Sequence, residues 1–407
     1  MDKKKTLVSI NMTACGSTGN IMKSLSRLVE AHGWQAYMAY PEKANADIKE
    51  RSIKIGNVFF RKVNRRFAMI TGYMDCFSWI STLCLVRKLK KIKPDILHLH
   101  NLHDCYLHMP RLFKYIKKNN VSVVWTLHDC WSFTGKCAHF SFVGCNKWKT
   151  GCSHCDQVNI YPRAYTDRTK ALWKLKKKWF TGVENLTLVT PSRWLADLVG
   201  QSYLQGYPIK VINNGIDLNL FKPTRGNFRE RHNLSPEINI LLSIAFGWAG
   251  KKGLDVILEL SKRLDPDKYR IVMVGTNEYL DSILPANIIS IHRTNNQIEL
   301  AEIYSEADLL LNATREDTFP TVNMEAIACG TPVLTFRTGG SPEILSPKTG
   351  SVVECNDVDS FEREIVRICE SNPYREEDCL EHSKNFDLHE RYEEYLALYE
   401  SIINRQS

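Results

Sequence analysis

The sequence predicts an α/β protein made of two doubly wound units, each a parallel sheet covered by helices on both faces, with a central cleft between them. Three observations carry this expectation. Short apolar strand patterns alternate with amphipathic helical patterns along nearly the whole chain. The alternation is interrupted at Asn213 to Gly226 (NNGIDLNLFKPTRG), a Gly, Asn and Pro-bearing stretch that reads as a linker, and then restarts. A chain of 407 residues is also too long for one compact core, and two domains are its natural division.

The first unit, residues 1–220, opens with a strand at Thr6 to Asn11, a helix at Asn20 to His32 and a strand at Gln35 to Tyr40. Further strands follow at Ile96 to His100, Ser122 to Leu127, Leu186 to Thr190 and Ile209 to Ile212, with helical patterns at Met109 to Lys118 and Asp167 to Phe180. The second unit, residues 221–385, repeats the scheme through strands at Ile238 to Ala245, Arg270 to Gly275, Ile288 to His292, Leu309 to Asn312, Val333 to Phe336 and Ser351 to Val353. Residues 386–407 form a last helix, with Tyr392, Tyr395, Leu396 and Tyr399 at helical spacing; this apolar stripe needs a partner surface, expected on the first unit.

Apolar residues make up 43% and charged residues 24%, which fits a globular protein rather than a disordered one. The N-terminal segment lacks the small-residue cleavage site of a secretory signal, and Phe67 to Val86, the most apolar long stretch, carries Asp75 and several hydroxyl residues. Thirteen cysteines in this context predict a reducing, cytoplasmic setting without disulfides. Charge is unevenly shared: the first 200 residues hold 33 Lys and Arg against 13 Asp and Glu, the remainder 21 against 32. Clusters such as Arg61 to Arg66, Arg87 to Lys93 and Lys174 to Lys178 would draw the first unit to an anionic surface. Peripheral association with the inner face of the cytoplasmic membrane is therefore expected. Nucleic acid would feel the same field.

The most informative stretch is Arg315 to Leu334 (REDTFPTVNMEAIACGTPVL). It sets Asp317 and, after seven intervening residues, Glu325 immediately before a short Ala-Ile-Ala-Cys helix ended by Gly330 and Pro332. A carboxylate accepts two hydrogen bonds from a vicinal diol, so one acid can hold a ribose while the other holds a sugar; the adjoining helix N-terminus suits a diphosphate. Between a strand and a helix lies Ala245 to Gly253 (AFGWAGKKG), where Trp248, Lys251 and Lys252 sit on a Gly-rich turn and the lysines place positive charge against a pyrophosphate. A second Gly-rich turn, Thr338 to Glu343, follows the Val333 strand. In the first unit, Gly16 to Gly19 reads as a glycine loop between strand and helix, and His128 stands at a strand's carboxyl end, where it can donate to a sugar hydroxyl or shift a proton. Glu42 occupies the position where a dinucleotide enzyme holds ribose, which keeps a nicotinamide-dependent sugar-nucleotide oxidoreductase in view, although no Tyr has a Lys four residues later.

Taken in order, GSTGN, TLHDCW, TPSRWLADL, NNGIDLNLFKP, the Gly-Lys-Lys-Gly turn, REDTFPTVNMEAIACGTPVL and TGGSPE resemble a retaining glycosyltransferase of family 4 with the GT-B fold, of the type that builds bacterial surface polysaccharides. The resemblance covers nearly the whole chain. It implies that Glu325 binds the donor ribose, that Asp317 and His128 approach the donor sugar and that Lys252 holds the diphosphate. It further implies that Gly16 to Gly19 lies over the phosphates and that Arg293 to Asn296, with Asn295 among them, borders the base. Met324 and Trp248 fall inside the same donor motifs. The implied partners are a UDP- or GDP-sugar and a glycan or lipid-linked acceptor, with no nucleic acid and no cofactor required for catalysis. The sequence departs from the family at two points: Asp317 stands where most members have Glu, and Ala245-Phe-Gly-Trp248 stands where many carry an Arg, a charge Lys251 could replace only without Arg's two-pronged geometry.

A Cys-rich insertion, residues 130–165, follows His128. Cys137, Cys145, Cys152 and Cys155 are spaced as four ligands that could close a structural zinc site, or they are reduced, metal-free thiols. A basic zinc-containing nucleic-acid module accounts for the cysteines and the charge but not for the ordered motifs.

Overall fold

The computed structural model describes residues 4–41, 51–248 and 250–405. The chain divides into two compact units, Met1–Ile212 with Tyr392–Ser407, and Asn213–Arg391. Glu42 lies outside the described residues.

Unit 1 runs β1 (Thr6–Ile10), α1 (Gly16–Ala31), β2 (Gln35–Tyr40), β3 (Ser52–Lys54), α2 (Val58–Thr71), α3 (Trp79–Ile92), β4 (Ile96–Leu99), α4 (Met109–Lys118), β5 (Val123–Thr126), α5 (Thr169–Phe180), β6 (Leu186–Thr190), α6 (Arg193–Gly200) and β7 (Ile209–Val211). The seven strands are parallel and ordered β3-β2-β1-β4-β5-β6-β7. Strands β1, β4 and β5 are buried along their full length, as near-continuous apolar runs such as TLVSI and VVWT require once helices cover both faces. Val8, Leu97, Leu99, Trp125 and Leu188 form the centre of the core with Leu112, Phe113 and Phe180 from the helices.

Helix α1 begins four residues earlier than the apolar periodicity places it. Gly16 to Gly19 is its first turn, and the connecting loop is Asn11 to Cys15 instead. Gly16 takes a left-handed backbone (φ 69°). A Cβ on Gly19 would stand 2.4 Å from the Ala14 carbonyl carbon, so only glycine lets the turn rest on that loop.

Unit 2 contains α7 (Phe228–Arg231), β8 (Asn239–Ile244), α8 (Leu254–Arg263), β9 (Tyr269–Val274), α9 (Glu278–Asp281), β10 (Ile288–Ile291), α10 (Gln297–Glu306), β11 (Leu309–Asn312), α11 (Thr321–Ala328), β12 (Val333–Phe336), β13 (Gly350–Val353), α12 (Val358–Ser371) and α13 (Glu376–Ser383). Its six strands are parallel, ordered β10-β9-β8-β11-β12-β13. Two buried clusters lie on opposite faces of this sheet, one around Leu242, Leu310 and Val333, the other around Leu241, Leu309 and Leu334. Adjacent residues pointing to opposite clusters is the two-residue period of a strand covered on both sides.

Helix α14 (Leu388–Asn404) spans the division of the chain, and its Tyr392, Tyr395, Leu396 and Tyr399 are buried. Within unit 1, the Tyr399 hydroxyl meets His98 Nδ1 at 2.7 Å and the Tyr395 hydroxyl meets Thr126 Oγ1 at 3.1 Å. Among the described residues no helix is long and apolar enough to cross a membrane, and no disulfide joins any cysteine.

Candidate functional site

In a parallel sheet, ligands bind beyond the carboxyl ends of the strands, where the winding reverses direction. In unit 2 that switch point lies between β8 and β11. The segments leaving these two strands are the Gly-Lys-Lys turn and the loop carrying Glu316 and Asp317. Lys252 Nζ stands 2.9 Å from Asp317 Oδ2, and Lys251 Nζ 2.5 Å from Glu316 Oε2, so two successive lysines face two successive acids. The Glu316 side chain is buried, whereas Lys252 and Asp317 keep part of their surface open. Lys251 thus neutralises a buried carboxylate, while Lys252 faces an acid that is itself partly open.

Close backbone packing holds the two segments together. Gly253 (φ 73°) lies where a Cβ would meet the Ala313 carbonyl oxygen at 2.3 Å. The Arg315 N–H donates to the Lys251 carbonyl (2.8 Å), and its buried guanidinium grips Asp255 through two bonds of 2.6 and 2.7 Å, Asn356 Oδ1 at 2.6 Å, and the Gly250 carbonyl. This forked contact fixes the Lys turn against the acid loop, a role for which the sequence offered only the start of a motif. The turn after β12 closes the other side. At Gly339 (φ 56°) a Cβ would fall 1.6 Å from the Asp317 carbonyl oxygen.

Asp317 leads through Phe319 and Pro320 into α11. Glu325 does not precede this helix, as the sequence suggested, but lies in its second turn, because the helix starts at Thr321 directly after Pro320. The first-turn N–H groups ahead of Glu325 are thus those of Thr321, Val322 and Asn323, of which Asn323 donates to the Pro320 carbonyl at 3.3 Å. A buried polar network sets this turn: Asn312 Nδ2 donates to Asn323 Oδ1 (2.7 Å), Asn323 Nδ2 to Ser341 Oγ (2.8 Å), and Ser341 Oγ meets Thr335 Oγ1 (2.8 Å). Glu325 is half-buried, and Tyr304 donates its hydroxyl hydrogen to Oε2 at 2.8 Å. Burial pushes the Glu325 carboxyl above its ordinary range, with the bonds from Tyr304 and Thr321 partly offsetting it. Met324 is fully buried in the core, so its side chain presents nothing to a ligand.

The remaining expected donor residues occupy neighbouring strand ends. Trp248 Nε1 donates to the Val274 carbonyl at 3.1 Å, which lays the ring along the end of β9. Arg293 and Asn295 are exposed in the segment after β10, where the Asn295 N–H and Nδ2 both donate to Glu299 Oε2, at 2.6 and 2.9 Å. With Asn296 Oδ1 accepting from the Glu299 N–H, this is a reciprocal cap on α10.

In unit 1 the switch point lies between β1 and β4, and the Asn101 N–H donates to Asn11 Oδ1 across it at 3.3 Å. Next to it, three histidines that the sequence reading passed over or took singly form a chain. His98 and His100 alternate with leucine along β4 and its end, a spacing that puts both on one face of the sheet. His98 Nε2 meets Thr126 Oγ1 at 2.8 Å, the His98 and His100 ring centroids are 4.0 Å apart, and His100 Nδ1 meets His128 Nε2 at 3.1 Å with the rings stacked. Burial depresses all three, His98 to about 3, His128 to about 4 and His100 well below its usual value, so they are neutral at pH 7. His100 Nε2 is buried with no hydrogen-bond partner among the described residues. Placing the His100 proton on Nδ1 leaves only a lone pair unmatched, whereas the opposite tautomer buries an unpaired N–H. His128 Nε2 then accepts, and its own proton sits on Nδ1. In this arrangement His128 is a neutral ring at pH 7 with a donor at Nδ1, one of the two roles its position opens to it.

A second buried chain runs Asp129–His103–Tyr161, with His103 Nε2 at 2.9 Å from Asp129 Oδ2 and Nδ1 at 3.0 Å from the Tyr161 hydroxyl. Burial works against the charged form of His103, but Asp129 outweighs it and raises the ring above its usual value. Tyr161 comes from the Cys-rich insertion. There Cys137, Cys145, Cys152 and Cys155 line one cavity with Phe140 and Trp148. Cys137 Sγ and Cys155 Sγ are 3.7 Å apart, and Cys152 Sγ accepts from the Gly135 N–H at 3.1 Å. Among the described residues no three His, Cys, Asp or Glu side chains are arranged to hold a metal ion. The insertion closes around its aromatic residues, Phe133, Phe140 and Trp148 packing within 6.3 Å of one another.

Two parallel, Rossmann-like sheets with a cation-and-acid site at the switch point of the second define the GT-B class of glycosyltransferases. Comparison with known proteins agrees in both halves: residues 18–220 match Glycosyltransferase Family 4 and residues 225–385 match the Glycosyl transferases group 1 domain. The chain belongs to this glycosyltransferase family, and the comparisons lend no support to the oxidoreductase or nucleic-acid-module readings. It is 28% identical over 274 residues to the Escherichia coli K12 protein described as a putative colanic acid biosynthesis glycosyl transferase, WcaC; the match spans 65% of each chain. Among solved structures it shares its fold with sucrose-phosphate synthase from Thermosynechococcus elongatus (TM-score 0.73, 16% identity, 99% of this chain and 100% of that one). It does so also with HepE of Anabaena in complex with UDP-glucose (TM-score 0.64, 13% identity, 97% and 99%).

Proposed function

We propose that this protein transfers a sugar from a nucleoside diphosphate sugar to a hydroxyl of a glycan or lipid-linked acceptor during surface polysaccharide assembly, with retention of anomeric configuration. The observation that carries the proposal is the pairing of Lys252 with Asp317 at the switch point of unit 2, on the loop that leads into α11 and Glu325. A diphosphate entering there exchanges with Asp317 for the lysine. The released carboxylate is then available to the donor sugar's hydroxyls. Lys252 and the first-turn N–H groups of α11 meet the negative charge that grows on the leaving phosphate, and Glu325 accepts from the ribose diol. The bond from the anomeric carbon to the phosphate oxygen breaks with its electrons passing to that oxygen. The acceptor oxygen bonds to the carbon on the same face, and its proton goes to the departing phosphate, so no protein nucleophile is needed. His128, neutral and carrying its proton on Nδ1, contributes a hydrogen bond rather than a base. The names WcaC and HepE with UDP-glucose favour the same substrate class.

The test is incubation with a panel of uridine and guanosine diphosphate sugars and a polyprenyl-phosphate-linked glycan, scoring released nucleotide and the anomeric coupling of the product. Acceptor-dependent release with one donor and an unchanged anomer is expected. Absence of release with every donor, together with no measurable affinity for UDP or GDP, would overturn the reading; an inverted product would overturn the retaining mechanism alone.

A further inference from the structure

Helix α2 is amphipathic in the wrong sense for a soluble surface. Phe59, Val63, Arg66 and Ile70 stand at i, i+4, i+7 and i+11 and form one stripe, with Phe60 and Phe67 beside it. Phe59, Phe60, Phe67 and Ile70 are 56 to 67% exposed, while the helix's single fully buried residue, Ala68, lies on the opposite side. The inward face is polar instead: Asn64 Nδ2 donates to Ser78 Oγ at 2.9 Å, and Arg61 and Arg65 reach Asp104 at 3.9 and 3.6 Å. The helix is firmly seated this way round. Asn57 caps its start by accepting from the Phe59 N–H, and at its end the Tyr165 N–H and Thr166 Oγ1 donate to the Met69 and Ile70 carbonyls at 2.7 and 2.6 Å. Gly72 (φ 75°) allows the close approach, since a Cβ there would meet the Thr166 carbonyl oxygen at 2.3 Å. The start of α3 adds Trp79 and Ile80, 50 and 59% exposed, with the Arg111 guanidinium 5.8 Å from the Trp79 ring.

Charge selects the occupant. From Arg51 to Pro94 the chain carries eleven Lys and Arg and a single acid, Asp75, which is buried. Outward aromatic and aliphatic side chains flanked by the exposed Lys62 and Arg66 match a bilayer interface with anionic headgroups: the rings enter the acyl boundary while Lys62 and Arg66 stay with the phosphates. A two-fold contact of this face with the same face of a second copy would bring like positive charges together and be repelled. We infer that the outward face of α2, continued by Trp79 and Ile80, is a monotopic binding surface for an anionic membrane.

Vesicle binding requires neither donor nor acceptor, so failure here and failure of the transfer reading are scored separately. The full chain is sedimented with phosphatidylcholine vesicles with and without 30 mol% (roughly the range where electrostatic attraction dominates) phosphatidylglycerol, at low and high salt. Salt-sensitive binding to the anionic vesicles is expected, reduced at least tenfold in Phe59→Ser/Phe60→Ser/Phe67→Ser and in Lys62→Glu/Arg66→Glu, with urea unfolding midpoints unchanged because these side chains are exposed. Tryptophan emission from Trp79, compared with a Trp79→Phe variant, should shift to the blue on binding. Equal binding by the triple variant, no binding by the parent protein, or a parent dimer that the triple variant dissolves would each overturn the assignment.

Discussion

The substitution Glu325→Gln tests the donor site most directly, because the structure predicts opposite effects on binding and on folding. The Tyr304 hydroxyl, which donates to Glu325 Oε2 at 2.8 Å, can donate equally to the oxygen of the new amide. What changes is the acceptor offered to the ribose diol. A hydrogen bond to a charged group contributes about 1.5–3 kcal/mol against about 0.5–1.5 for a neutral pair. Losing charge assistance on two bonds therefore costs about 2–3 kcal/mol, or roughly a 30- to 150-fold fall in donor kcat/KM at 1.4 kcal/mol per decade. Folding should move the other way. Burial holds the carboxyl above its ordinary range, so at pH 7 the ionised Glu325 opposes folding and a neutral amide removes that opposition. Steady-state kinetics, nucleoside diphosphate titration calorimetry and urea unfolding measure the three quantities. A variant with full turnover and unchanged nucleotide affinity, or one whose unfolding midpoint falls with its activity, would refute the assignment of Glu325 to the ribose.

Lys252→Met should lower kcat by about two to three decades, the usual loss when one preorganised donor to a developing anion is removed, with nucleotide release as the assay. Gly339→Ala should reduce donor kcat/KM by displacing Asp317, since the new Cβ falls on its carbonyl oxygen. It should also lose about 1–2 kcal/mol of stability from the left-handed backbone, read in the same kinetic and urea experiments. Arg315→Met should destabilise unit 2 by about 2 kcal/mol, because the Gly250 carbonyl and Asn356 lose their donor while the mostly exposed Asp255 rehydrates. Acid should weaken unit 1. His98, His100 and His128 all titrate below their unfolded value, so their stabilising contribution is whole above pH 6.5 and is lost as pH falls toward 4 and 3. Asp75, raised to about 6 by burial, runs the other way and stabilises as pH falls from 6 toward 3.8. His108 is lowered as well, so the histidines outnumber Asp75 and stability should fall as pH drops from 6 to 4, followed by urea midpoints across that range; a His98→Asn/His100→Asn variant should flatten the slope.

The gathering of these segments at one sheet edge was legible because its cause is local. Lys251 to Gly253, Asp317 and Thr338 to Gly340 each lie in the segment that leaves a strand, and in a parallel sheet that position sends them to the carboxyl edge. Which acid each lysine faces was not legible, since it depends on β8 and β11 being neighbours despite 64 intervening residues between Ile244 and Leu309. The start of α11 was misplaced for a different reason: Pro320 marks the boundary, but Glu325 drew the reading to a later turn. The histidine chain escaped because His98 and His100 lie in an apolar strand where a histidine looks like filler, and their partners Thr126, His128 and Tyr399 arrive from other elements.

By itself the sequence determined the doubly wound character of both sheets, a linker at Asn213 to Gly226 between them and the set of residues delivered to each strand end, because apolar periodicity and glycine punctuation act over a few residues at a time. Only tertiary structure decided which charges face each other, which histidines stack into one buried chain and that α2 turns its phenylalanines outward. Those outcomes depend on burial and on contacts between distant segments. A lysine in sequence is only a cation; the fold decides that Lys251 faces the buried Glu316 and Lys252 the partly open Asp317.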